Sequence, residues 1–180
     1  MKRIISGLVA IPLVLGIVLY GSPLLFFGFV TVVVLVASHE YFSMISNMGV
    51  EGFPVEGGVL CFLLLLGFYM GGQSLLLFAV LIPVGLFATW FFRENDVKVA
   101  LDPITYTILG VFYTAGLGGS FLFIYNLEGG NQIIVFLFLL IWVGDATAYY
   151  VGRSLGKYKL IPAVSPNKTV EGAIGNVVGT

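Results

Sequence analysis

The chain is 180 residues long, 59% hydrophobic and 9% charged, with a formal net charge of −1 at pH 7. Soluble domains carry about 25% charged residues; with a mean hydropathy of +1.07, an ordinary water-soluble fold is excluded and lipid must solvate most of the surface. The single cysteine, Cys61, excludes an intrachain disulfide, and its setting in Leu60-Cys-Phe-Leu-Leu reads as packing rather than as a reactive thiol.

The amino terminus, Met1-Lys-Arg-Ile-Ile, sets cations before an apolar run, as a signal peptide does. No small-x-small pattern closes that run near Gly21-Ser-Pro23, so an uncleaved first membrane helix is expected. A spanning helix takes about 20 apolar residues. Runs of that kind lie at Ile4–Tyr20, Leu24–Ser43, Gly58–Met70, Ser74–Phe92, Tyr106–Tyr125 and Ile133–Tyr150. The third is short, which calls for extension into its flanks, a tilt or a re-entrant path. Breaks are expected at Gly21-Ser-Pro, Asn47 to Gly57, Gly71-Gly-Gln, Arg93 to Pro103 and Glu128 to Asn131, with Asp102-Pro103 as a turn before a helix. A further apolar run opens near Ala173 and is still open at Thr180, so the chain is expected to be truncated at its C-terminus. The fold class expected is all-α: a polytopic transmembrane helical bundle of about six spans plus the start of a seventh, forming a single transmembrane domain over residues 1–180.

Charge sets the orientation, because Lys and Arg stay on the cytoplasmic side. With the amino terminus inside, this path places Lys2, Arg3, Arg93, Lys98, Arg153, Lys157, Lys159 and Lys168 all on that side. The opposite side receives only Glu128 as a charge. His39 and Glu40 fall near the cytoplasmic end of the second span, where they serve either as interfacial anchors or as part of a site.

The segment from Trp142 to Gly172 carries the chemistry. Asp145 is a carboxylate inside an apolar helix, which is costly without a partner. On a helix Asp145, Tyr149 and Arg153 share one face, and Gly144, Ala148, Gly152 and Gly156 form an adjoining stripe of small residues that lets helices approach closely. Two readings of Asp145 stand: a structural contact to Arg153 or a tyrosine hydroxyl, or a metal ligand or proton carrier. The loop that follows, with Arg153, Lys157, Lys159 and Lys168, either marks topology by binding anionic headgroups or holds phosphates. Ser165-Pro-Asn-Lys-Thr is the more specific part. Pro166 and Asn167 shape a turn, Lys168 brings a point charge, and Ser165 and Thr169 bring hydroxyls. It is not a Walker A loop. Glu171 either caps the following helix or supports a cation.

These residues resemble a known family. Asp145-Ala-Thr-Ala-Tyr, Gly152-Arg-Ser-Leu-Gly-Lys157, Leu160-Ile-Pro and Ser165-Pro-Asn-Lys-Thr-Val-Glu-Gly172, with Glu40-Tyr-Phe upstream, are similar to phosphatidate cytidylyltransferase (CDP-diacylglycerol synthase). The family's C-terminal run of Lys-Arg, Lys-Asp, His-Gly-Gly and Asp-Arg-x-Asp elements has no match here. The resemblance implies an integral, multi-pass enzyme of the bacterial inner membrane with its active face in the cytoplasm. It implies transfer of a cytidylyl group from CTP to phosphatidic acid, giving CDP-diacylglycerol and pyrophosphate, with Mg²⁺. Asp145 then lies in the metal–nucleotide region, as the metal ligand and, with Lys168, a catalytic residue. Ser165, Thr169 and Glu171 belong to the substrate-binding loop, to which Arg153, Lys157 and Asn167 are added as substrate-binding residues. Membrane lipid is the expected partner, a homodimer is compatible with it, and nucleic acid is not expected. The alternatives are a CTP-dependent lipid-alcohol (polyprenol) kinase and a cation- or proton-coupled transporter, which would use Asp145 as its ion site.

Overall fold

A computed structural model describes residues 2–93 and 97–180, and the side chains of residues 10–92 and 101–180. The side chains of Lys2, Arg3, Arg93 and Lys98, half of the cations used above to set the orientation, lie outside the described residues. The chain forms two compact units, Met1–Gly130 and Asn131–Thr180.

The first unit is helical, and its helix ends follow the punctuation of the sequence. Helix α1 (Lys2–Tyr20) ends before Gly21-Ser22. Ser22 then caps α2 (Pro23–Asn47): its Oγ accepts the Leu25 N–H at 3.2 Å, and Pro23 stands at the first helical position, where its missing N–H costs nothing. Gly49, at φ +77°, stops α2 in the left-handed conformation that glycine tolerates best. Helix α3 (Pro54–Met70) begins on another proline and ends at Gly71 and Gly72, both at positive φ. The third run is thus 17 residues long, extended into its N-terminal flank. Helix α4 (Gln73–Arg93) follows. Then α5 (Val97–Val111), a π-helical turn over Phe112–Gly116, and α6 (Leu117–Tyr125) run on as one helical rod.

Asp102-Pro103 corrects the sequence reading. It is not a turn before a helix but lies inside α5. A proline at an interior position costs roughly 3 kcal/mol. Ile104, Thr107 and Val111 are nevertheless buried on one face of this helix, and that packing outweighs the lost donor. Thr107 also ties α5 to the α2–α3 loop, for its hydroxyl donates to the Pro103 carbonyl at 2.7 Å and accepts the Phe53 N–H at 3.0 Å.

Helix α3 is central to this unit, with α2, α4, α5 and α6 against it. Leu64, Leu65 and Cys61 on α3 are buried, as are Phe26 and Val30 on α2, Ile82 and Leu86 on α4 and Leu122 on α6. Cys61 has no exposure, and its sulfur lies 3.6 Å from Ser38 Oγ and 3.4 Å from Thr114 Oγ1, as expected of a packing residue. Close approach depends on Gly118-Gly119, since a Cβ at Gly118 would strike Val34 and one at Gly119 the Phe68 ring. Tyr125 stacks on Phe26 with ring centroids 4.3 Å apart and donates its hydroxyl to the Gly21 carbonyl at 2.8 Å.

Among the described residues, four helical stretches are long and apolar enough to cross a membrane: Pro23–Asn47, Gln73–Phe92, Leu101–Tyr125 and Gly130–Leu155, with Ala10–Tyr20 and Pro54–Met70 as shorter apolar helices. Only 11% of the apolar window of Gln73–Phe92 is buried within the protein. The rest needs lipid around it, so this is an all-α membrane protein in which packing and backbone satisfaction, rather than burial from water, hold helices together.

The second unit holds α7 (Gly130–Leu155), a small hairpin and α8 (Val170–Gly179). The hairpin lies within what the sequence presents as a loop. Strand β1 (Lys159–Ile161) pairs antiparallel with β2 (Ser165–Thr169), Lys159 opposite Thr169 and Ile161 opposite Ser165, with an irregularity between the two pairs.

Candidate functional site

The small-residue stripe of α7 is what lets the site form. Its Gly144, Ala148 and Gly152 meet α8 at Gly172 and Asn176. A Cβ at Gly172 would lie 2.9 Å from the Ala148 carbonyl oxygen and 3.2 Å from Gly152 Cα. Both obstacles are backbone, so only glycine permits this approach. Gly156, last of the stripe, lies under Thr169.

Thr169 and Glu171 fix the start of α8. Thr169, only 8% exposed, is its N-cap: Oγ1 accepts the Gly172 N–H at 3.2 Å. Glu171 reaches back over the base of the hairpin, where both carboxylate oxygens accept the Tyr158 N–H at 3.3 Å. Hydrogen bonding by its own backbone N–H holds its carboxyl below the usual range. The backbone N–H groups of Lys157 and Tyr158 and the nearby Lys157 charge act in the same direction, and burial opposes them. Val170 N–H donates to the Tyr158 carbonyl at 2.9 Å and closes the hairpin base.

Between α7, the hairpin and α8 lies a cleft of about 820 Å³. Among the described residues on its wall, Asp145 is the one carboxylate; Arg153 and Lys168 are the cations; Tyr149, Asn167, Asn176 and Thr169 complete the polar set. Arg153 Nη1 donates to the Tyr149 hydroxyl at 2.9 Å, so the i, i+4 spacing is realised between those two residues. Asp145 has neither an ion pair nor a hydrogen bond among the described residues. The structural pairing to Arg153 or a tyrosine hydroxyl that the sequence leaves open to it is not made among the described residues.

Of the residues singled out in sequence, Asp145, Arg153, Asn167, Lys168 and Thr169 come together on this cleft, whereas Lys157, Ser165 and Glu171 stand off its wall. Lys157 and Glu171 face each other at the hairpin base, and Ser165 begins β2 opposite Ile161. Asn176 escaped the sequence reading; its one signal is an amide alone within the apolar run after Ala173. His39 lines a separate cleft of about 560 Å³ in the first unit, with Ser43, Ser46 and Glu51, while Glu40 stays outside that cleft.

No group of three or more His, Cys, Asp and Glu occurs among the described residues. The donor set on the cleft still fits a hard cation that is held mainly by substrate. Mg²⁺ keeps several waters and takes one or two protein carboxylates plus phosphate oxygens, and Asp145 supplies one unpartnered carboxylate beside amide and hydroxyl oxygens.

Fold and cleft together define a helical membrane protein whose polar site, cationic on balance, opens beside the C-terminal half of an apolar helix. The chain belongs to the cytidylyltransferase family, whose family model matches residues 1–180. Among curated relatives, it is 45% identical to the phosphatidate cytidylyltransferase of Staphylococcus saprophyticus over 65 residues, which are 36% of this chain and 25% of that protein. It is 36% identical to the phosphatidate cytidylyltransferase of Staphylococcus haemolyticus over 87 residues, 48% of this chain and 30% of that protein. The chain thus spans 25% to 30% of the length of these relatives. No solved structure matches it.

Proposed function

We propose that this chain contributes the cytidylyl-transfer site of a phosphatidate cytidylyltransferase, which joins CTP to phosphatidic acid and releases pyrophosphate. One observation carries the reading: an unpartnered carboxylate, Asp145, shares a cleft with Arg153 and Lys168 beside an apolar helix. The family and the names of the relatives support cytidylyl transfer over a lipid-alcohol kinase or a transporter.

In this reaction a phosphate oxygen of phosphatidic acid attacks the α-phosphorus of CTP. A new P–O–P bridge forms, the bond from the α-phosphorus to its bridging oxygen breaks, and the electron pair leaves with pyrophosphate. Both reactants are anions and repel. Lys168 offsets that charge as a mobile point charge, and Arg153, held by Tyr149, keeps further N–H donors in a fixed fork for phosphate oxygens. Such preset electrostatics stabilise the charge that develops in the transition state. Asp145, with the amide oxygens of Asn167 and Asn176, would hold Mg²⁺, which supplies Lewis-acid polarisation of the phosphates. Thr169 and Glu171 act as positioning residues, because their hydrogen bonds fix the hairpin that presents Asn167 and Lys168.

We place the protein in a bacterial inner membrane with this cleft on the cytoplasmic side. Arg153, in the last turn of α7, and Lys157, Lys159 and Lys168 beyond it gather at one end of the helix, as the positive-inside rule requires of a cytoplasmic face. The lipid tails stay in the bilayer while CTP arrives from water. The test is an assay of the intact protein in phospholipid vesicles with CTP and phosphatidic acid. CDP-diacylglycerol and pyrophosphate appearing together support the proposal; release of CDP with a phosphorylated polyprenol replaces it with the kinase.

A further inference from the structure

The hairpin has an apolar tip that is exposed throughout. Ile161-Pro-Ala-Val164 is free of polar side chains. Val164 is 81% exposed, Ile161 53% and, lower on the same strand, Leu160 41%. Exposed apolar side chains are ordinary on α7, which crosses lipid; on a loop outside the apolar span they need another reason. The base of the same hairpin carries Lys157, Lys159 and Lys168, all exposed, and Tyr158, 72% exposed. Glu171 is the carboxylate nearest the base, and the Tyr158 N–H and the Lys157 charge already engage it.

We infer that the hairpin tip, Ile161 to Val164, inserts into the headgroup–acyl boundary of the leaflet at the end of α7, with Lys157, Lys159 and Lys168 held at the level of anionic lipid phosphates. Three independent features fit that occupant. Strands rise about 3.3 Å per residue, so three residues of β1 carry the tip about 10 Å from the base, the depth to which interfacial elements bury, about 5–10 Å. Lysine stems cover apolar surface while their ammonium groups reach water and phosphate, and a tyrosine suits the same layer. The backbone is partly satisfied before any lipid is met: Val164 N–H donates to the Ile161 carbonyl at 3.2 Å, and the strands pair at Lys159–Thr169 and Ile161–Ser165. The consequence is spatial. Leu160, Asn167 and Lys168 belong both to this hairpin and to the cleft wall, so an inserted tip sets the cleft at headgroup level, where an anionic lipid can reach it without leaving the leaflet.

The readout is depth, not turnover, so the inference fails or survives separately from the proposed reaction. In a Cys61→Ser background, Val164→Cys is labelled with an environment-sensitive fluorophore and the intact protein is reconstituted in phosphatidylcholine vesicles, with or without phosphatidylglycerol. Expected are blue-shifted emission, quenching by doxyl lipids and protection from iodide. The inserted population should grow with phosphatidylglycerol, and Lys159→Gln should cut that gain by about fivefold, the worth of one cation near an anionic surface. Ala163→Cys gives a second position should labelling at 164 disturb the hairpin. Full iodide quenching with no doxyl quenching at both positions puts the tip in water and overturns the inference. Protection from both quenchers means that protein covers the tip, which overturns it equally.

Discussion

Glu171 and Tyr158 are linked across the base of the hairpin: both carboxylate oxygens of Glu171, in the first turn of α8, accept the Tyr158 backbone N–H at 3.3 Å. The residues are 13 apart in sequence, and the bond closes a loop that carries Asn167 and Lys168 to the cleft. Glu171→Ala should open that loop without unfolding α7. Trypsin cleavage after Lys157 and Lys159 should become several-fold faster, and the KM for CTP should rise more than kcat falls.

The same clamp should be pH-sensitive. The carboxyl of Glu171 is held below its ordinary range in the folded protein. A depressed folded-state pKa contributes stability above the unfolded value and loses it as pH falls through the folded one. Hydrogen exchange at the Tyr158 amide, corrected for intrinsic rates, should therefore show constant protection at neutral pH and falling protection below the usual carboxylate range. Glu171→Gln should flatten the profile; an unchanged profile would remove Glu171 from the clamp.

Asp145→Asn should leave the fold intact, because the carboxylate has no partner among the described residues to lose. It should still lower turnover by about a hundredfold or more, the scale of one preset electrostatic contact in a transition state. It should also shift the Mg²⁺ requirement upward, since an amide is a weaker ligand for a hard cation. Detergent gel filtration checks the fold, and product formation over a Mg²⁺ series checks the role. Near-normal turnover with ordinary Mg²⁺ dependence would return Asp145 to a structural part.

Lys168→Ala should act mainly on binding. Hydrogen bonds to a charged group are worth about 1.5–3 kcal/mol, so the KM for CTP should rise by roughly tenfold or more while kcat changes less. Competition by added salt should weaken in the variant, since one phosphate-facing charge is gone.

What could be read in the sequence was local. Helix ends at Ser22-Pro23, Gly49 and Gly71-Gly72 follow from backbone preferences that need no partner. The stripe Gly144, Ala148, Gly152 announced a close helix neighbour, and α8 is that neighbour. The rest depended on contacts between distant residues. Asp102-Pro103 has the chemistry of a turn, but buried Ile104, Thr107 and Val111 hold it helical. A short hairpin gives no periodic signal, and this one is closed by Glu171 from the next helix. Thr169 carries the same hydroxyl whether it binds phosphate or caps a helix; only its burial and its bond to Gly172 tell the two apart.

Gly172→Ala should separate α8 from α7. The added Cβ would stand 2.9 Å from the Ala148 carbonyl oxygen, 3.1 Å from Thr169 Oγ1 and 3.2 Å from Gly152 Cα. Two of these atoms are α7 backbone, and the third is a capping hydroxyl already bonded to the Gly172 N–H, so the helices themselves must move. Overpacking of this kind costs about 1–3 kcal/mol, which lowers Tm by several degrees in a protein of this size. The damage should also be functional, because Asn176 and Lys168 travel with α8 and β2 while Asp145 and Arg153 stay on α7; the KM for CTP should rise with the fall in Tm. Gly28→Ala is the contrast. Nothing lies within 4 Å of a Cβ at that position, and alanine favours a helix by up to about 1 kcal/mol over glycine, so Tm should hold or rise and activity should not change. Equal loss in both variants would mean that glycine is needed for helix flexibility in general, and that the α7–α8 contact does not set the geometry of the cleft.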